Sequence, residues 1–269
     1  MTAVVGARVA APDQVGRLAD ARVVVSLTLV EARRVVAHPS YLALTGLLVL
    51  VAGIDVPGLT RESIVGLLET ILLFVPLMSL FAANLVASSA RRANAEETLV
   101  ASPLGARARI LALCLASLAP AALSATGVVA YWWLAYRAGP VLDGAVPMSA
   151  MASAPLLLVG ATALGVATAQ WLRVPGTALV VMAGLVVWTG ISADHPLGSW
   201  FSPWALAYTE AVNPAPAGSH AWHAGYLLGL SVLAMVAALL GQRGGRRPVI
   251  VTGAVVAALT ALAGWAQLP

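Results

Sequence analysis

Seven apolar stretches, separated by shorter polar intervals, set the rhythm of the chain. They run near Tyr41–Val56, Ser63–Ala87, Ile110–Tyr136, Ser153–Leu172, Thr177–Ala193, Trp222–Leu240 and Val249–Gln267. Each approaches the roughly 20 apolar residues that carry a helix across a bilayer, the first and fifth being short. Ahead of them, Arg22 to His38 keeps a different period. At about 100° per residue Arg22, Ser26 and Arg33 share a narrow sector, while Val23, Leu27 and Val30 take much of the remainder. That pattern predicts an interfacial helix with its arginines toward lipid phosphates. Pro39 ends it, because proline disfavours helical geometry in the residue before it. The plainer alternative is a frayed extension of the first span. The fold class expected is all-α: a polytopic integral membrane protein with six or seven transmembrane helices and an N-terminal interfacial helix. Residues 1–40 form the cytoplasmic N-terminal segment and 41–269 the transmembrane domain.

Composition fixes the solvent. The chain is 60% hydrophobic and 10% charged, with a mean hydropathy of +0.91, against about 25% charged residues in a soluble domain. Its 24 glycines and 16 prolines suit membrane helices, where neighbouring helices satisfy freed backbone groups. The single cysteine, Cys114, excludes an intrachain disulfide. The region to Asp20 lacks the apolar core of a cleavable signal peptide.

All fifteen basic residues are arginine, and they orient the chain. With the N-terminus inside, thirteen fall in cytoplasmic segments and only Arg61 and Arg137 outside, as the positive-inside rule requires. Trp132, Trp133, Trp222 and Trp265 then lie at outer ends of spans and Trp171 at an inner one, where an amphipathic ring favours the interface. Val249–Gln267 carries no charge, so it reads as a seventh span that places the C-terminus outside in the plasma membrane, the alternative being a segment lying along the membrane.

The 88–109 interval is longer than a turn needs. Arg91 and Arg92 leave one apolar run, Glu96 and Glu97 follow, Ser102-Pro103 breaks the chain, and Arg107 and Arg109 enter the next. Ser102 suits a helix cap and Pro103 a first helical turn. Glu96 and Glu97 would sit exposed on a short helix, either facing a basic partner or as ordinary solvated loop charges. Arg107 and Arg109, like Arg22, Arg33 and Arg34, are expected at the lipid surface.

An interfacial helix, two spans, a cytoplasmic stretch ExxxxxSPLxxRxRI and a third span resemble the membrane subunit of type-2 ABC exporters. Arg91-Arg92, Glu96-Glu97, Leu99-Val100, Ser102-Pro103 and Arg107…Arg109 match that family's order, and Ser202-Pro203-Trp204 extends the likeness. The seventh span departs from the usual six. The resemblance implies a permease that pairs with a second permease subunit, as homodimer or heterodimer. It also implies docking of a separate ABC ATPase through the coupling segment, with Glu96, Glu97, Leu99, Ser102 and Pro103 as the contact residues. In such exporters the region matching the outer segment 194–221 forms short re-entrant helices, and SWFSPWALAY (Ser199–Tyr208) is apolar enough to enter the outer leaflet, the alternative being an extracellular loop with an aromatic anchor.

The chain itself contains no GxxxxGK[ST] phosphate loop, no GxSxG and no HExxH. Transport would therefore draw on a partner's ATP; the chain reads as a transporter subunit, not an enzyme, with no cofactor and no nucleic-acid partner. Glu69 lies inside the second span, where an ionisable group tends to face a pathway, unless it reaches water near the outer surface. His220 and His223 flank Trp222 and read as interfacial histidines more than metal ligands. A secondary transporter, or a non-transport assembly or immunity factor, remains the alternative. An uncharged interior suits an amphipathic substrate.

Overall fold

The computed structural model describes residues 12–43, 46–47, 50, 61–94, 105–138, 148–172, 174, 176–193, 195, 197–203, 218–242 and 246–268. Among these, every regular element is a helix. In chain order they are α1 (Pro12–Val36), α2 (Arg61–Ala87), α3 (Ser89–Arg92), α4 (Ala106–Leu115), α5 (Leu118–Ala138), α6 (Met148–Trp171), α7 (Thr177–Ala193), α8 (Gly198–Phe201), α9 (His220–Leu240) and α10 (Arg246–Ala266). Among the described residues, four stretches are long and apolar enough to cross a membrane: Ala106–Ala130, Ser153–Trp171, His220–Leu240 and Arg246–Ala266. Leu72–Ala87, the part of α2 whose side chains are described, and α7 (Thr177–Ala193) are apolar over shorter lengths. The chain is a helical, multi-pass membrane protein in its architecture. Most of the expected first span, from 44 onward, lies outside the described residues.

Three boundaries differ from expectation. The helix expected from Arg22 begins ten residues earlier, at Pro12, a residue whose missing N–H costs nothing in a first turn. The helix expected to be capped by Ser102 is capped by Gly105 and starts at Ala106. The third span is broken between α4 and α5. There Ser117 N–H bonds to Cys114 O (3.1 Å) and Ala119 N–H to Ala116 O (3.1 Å), the tighter i→i+3 pattern. Pro120 explains it, because proline has no N–H for the carbonyl four residues back and its ring crowds that carbonyl.

α6 is the central post, packed by α2, α9 and α5. In lipid the apolar effect does not drive helices together, so close contact of small residues and interhelical hydrogen bonds must. Ser79 and Thr162 hydroxyls meet at 2.6 Å across α2 and α6, and Asn84 Nδ2 donates to Gly165 O at 3.3 Å. A Cβ on Gly165 would collide with the Leu80 carbonyl, and one on Gly160 would lie 2.9 Å from Ser231 Oγ. Gly160, Gly165 and Ser117 are therefore spent inside the chain, Ser117 being fully buried. α10 joins α9 in the same way, Gly229 against Thr260 and Gly253 against Val236. Arg91, Arg109 and the C-terminal ends of α2, α6 and α9 share one end of the bundle, hereafter the arginine end.

Candidate functional site

Three helices point their C-termini at the arginine end, and each leaves carbonyls without a helical donor. The partial negative charge of those ends draws cations. Arg91 Nη2 donates to Ala169 O of α6 at 2.6 Å, and Arg92 Nη2 donates to Leu85 O of α2. Trp171 Nε1 donates to Ala237 O of α9 at 2.7 Å, and Gln242 Nε2 donates to Gln170 Oε1 at 2.9 Å. Arg91 and Arg92, which the sequence presents as topology signals, thus serve as caps on helix ends.

α1 is bolted to the same end. Arg34 Nη1 donates to both Glu31 carboxylate oxygens at 3.0 and 2.9 Å, and its Nη2 donates to Ser89 Oγ at 2.8 Å. Val35, on the face that Glu31 shares, packs with Ile110, Leu113 and Cys114 of α4. Arg22 and Arg33 remain exposed on the opposite face of α1, flanked by exposed Val23, Val25, Leu29 and Val30. Arg34 thus has protein partners beside any lipid contact. Arg107 and Arg109 are half-buried on α4.

The connection between α3 and α4 is therefore held on both sides. Asn94 leaves α3 in the left-handed region, φ 52°, where asparagine is tolerated, and Gly105 caps α4. Glu96, Glu97, Leu99, Ser102 and Pro103 lie outside the described residues. Glu69 falls on α2, with its side chain outside what is described.

Between α6, α7 and α9 opens a cavity of about 350 Å³, at the small end of the range for ligand sites. Leu157, Leu164, Leu185, Leu230 and Ala234 wall it, and Pro203 and Ala237 mark its two ends. Its one side-chain hydroxyl, Ser231, is already spent on Leu227 O at 2.8 Å. The walls offer an occupant apolar contact and no side-chain charge. Trp171, bonded to Ala237, bridges α6 and α9 at its arginine end.

The opposite end is closed by a second network. Trp200 of α8 is fully buried, and Gln267, just past α10, holds three elements around it. Gln267 Nε2 donates to Trp200 O at 2.9 Å, its Oε1 accepts from His223 Nδ1 at 2.8 Å, and its carbonyl accepts Ser219 N–H at 3.0 Å. Trp200 packs its ring on His220 and His223, with centroids 5.7 and 5.8 Å away. These two histidines therefore work as aromatic and hydrogen-bonding groups in a plug. Of the segment expected to be re-entrant, the described residues form α8 and the turn to Pro203, and 204–217 lie outside the described residues. Trp133, Trp222 and Trp265 are exposed near this end, and Trp171 near the other.

Compared with family models, curated proteins and solved structures, the chain gives no match in any of the three. The reading of its function rests on its own residues. Sequence reasoning missed Glu31, Ser89, Trp200 and Gln267. The i,i+3 spacing of Glu31 and Arg34 was a usable signal, whereas nothing local links Ser89 to Arg34 or Gln267 to Trp200.

Proposed function

We propose that this chain is the permease subunit of an exporter of the type-2 ABC kind. It would cross the plasma membrane six or seven times with its N-terminus and arginine end in the cytoplasm, α1 in the interface and its C-terminus outside. A second permease subunit completes the pathway, and a separate ATPase supplies energy at the 88–109 interval. The observation that carries this reading is mechanical. The segment bearing Glu96 and Glu97 leaves from Arg91, clamped to α6, and enters α4, packed on α1. A push on it is passed to the central post and to the interface helix together. The apolar cavity beside α6 favours an amphipathic substrate over a small inorganic ion.

The test is assembly. Co-expression with an ATPase encoded beside this chain should yield a complex, and Glu96→Arg with Glu97→Arg should weaken it while insertion stays normal. Two like-charged substitutions against a basic docking cleft cost more than loss of a surface pair. Normal assembly and transport by the double variant would reduce the acids to solvated loop charges. Transport by the chain alone, driven by an ion gradient, would favour the secondary transporter.

A further inference from the structure

We propose that His38 is an acid-sensitive hinge pin: its neutral ring caps the helical turn at residues 39–43, and protonation frees that turn from α1. The inference stands apart from the transport reading and concerns the joint between α1 and the chain that follows.

The backbone defines the joint. α1 closes with Ala37 N–H on Arg33 O (2.9 Å) and His38 N–H on Val35 O (3.2 Å). The chain then restarts as a helical turn at Pro39, a residue suited to a first helical position. His38 O accepts the first bonds of that turn, from Tyr41 N–H (2.9 Å) and Leu42 N–H (3.0 Å). His38 thus occupies the cap position, where a side chain that accepts a hydrogen bond satisfies an orphan N–H. Ser40 N–H supplies that bond, donating to His38 Nδ1 at 3.3 Å, with Ser40 Oγ 2.8 Å from the same nitrogen. For Nδ1 to accept, the ring must be neutral and carry its proton on Nε2.

An imidazolium cannot do this. It presents N–H at both nitrogens, so Nδ1 would oppose the Ser40 N–H it now receives. The surroundings act in the same direction: partial burial, and after it the Arg92 guanidinium of α3, hold the ring below the usual histidine value. Among the described side chains of α1, α3 and the turn, the other ionisable groups are Glu31 and Arg34, which are paired together, exposed Arg22 and Arg33, Arg91, which is bonded to Ala169 O, and buried Tyr41 one turn on. Because the folded value is lowered, the folded joint binds fewer protons than an unfolded one below about pH 6.5. Its cap is intact above that pH and is lost as the pH falls through the lower folded value. α1 keeps its own bolt, Arg34 on Ser89, so release redirects the chain beyond residue 38 without detaching α1.

The full chain in nanodiscs, with Cys114→Ala and spin labels on exposed Ser26→Cys and Leu42→Cys, reports the joint directly. From about pH 7.5 to about pH 4.5, a single narrow distance should give way to a broadened population. His38→Asn, which supplies a cap acceptor that does not titrate, should stay narrow throughout. A wild-type distance unchanged over the range, or a His38→Asn protein that titrates like wild type, overturns the hinge. Should the labelled variants misfold, the His38 imidazole is followed by NMR in the unlabelled protein. Its midpoint should lie below the ordinary histidine value and rise in Arg92→Gln; a midpoint at or above that value also overturns the proposal.

Discussion

Glu31 shows how a single residue is decided by what lies far along the chain. It is only 5% exposed, and a buried carboxylate is costly unless paired. Arg34 supplies the pair, but its side chain is 46% exposed, so the two partners are not equivalent. Arg34→Ala leaves a buried anion without its donor and should cost about 1–3 kcal/mol. Glu31→Ala leaves an arginine that water reaches and Ser89 still holds, and should cost less. Thermal unfolding of both variants in detergent measures the difference, and equal losses would show that Glu31 is solvated after all. The sequence shows the spacing of Glu31 and Arg34 and suggests the pair. It does not show Ser89, because that contact depends on how α1 lies across α3.

At the scale of elements, apolar run length carried most of the information. α6, α7, α9 and α10 begin and end close to the stretches read from hydropathy, since each is built on a charge-free run, preceded in α10 by Arg246 and Arg247. The break between α4 and α5 was less legible, because proline in a membrane helix is tolerated and its effect depends on neighbours. Pro120→Ala restores the N–H and should join α4 to α5, visible as new amide protection at residue 120 by hydrogen exchange. An unprotected amide there would mean that packing, not proline, sets the break. Glycines separate in the same way between structural and idle. Gly229→Ile must displace Thr260, whereas Gly127 meets nothing within 4 Å. Gly229→Ile should therefore loosen α10 from α9 and raise protease access to the C-terminal hairpin. Gly127→Ala should be neutral or stabilise by up to about 1 kcal/mol, the helix-propensity gain. The reverse order of effects would remove the close-contact account of the hairpin.

For the molecule as a whole, the two ends and the cavity between them make separable demands. The arginine end was partly visible in the sequence as an ordered charge pattern; its helix capping was not, because Ala169, Leu85 and Ala237 contribute only carbonyls. The cavity was invisible, since its leucines and alanines match those of the core. The proposed function would divide along this line. If the 88–109 interval couples to an ATPase and the cavity receives the apolar part of a substrate, damage to each should produce a different defect. Ala234→Trp places a large ring in a space of about 350 Å³ and leaves the arginine end untouched. It should abolish stimulation of ATP turnover by an alkyl-chain amphiphile while the ATPase still co-purifies in full. Arg91→Ala should do the opposite, keeping the cavity but uncoupling α6 from the segment that carries the acids. Its ATPase should bind, bind amphiphile normally through the permease, and hydrolyse ATP without acceleration. Full stimulation in Ala234→Trp would remove the cavity from the pathway, and full stimulation in Arg91→Ala would remove the clamp on Ala169 as the route by which force reaches α6.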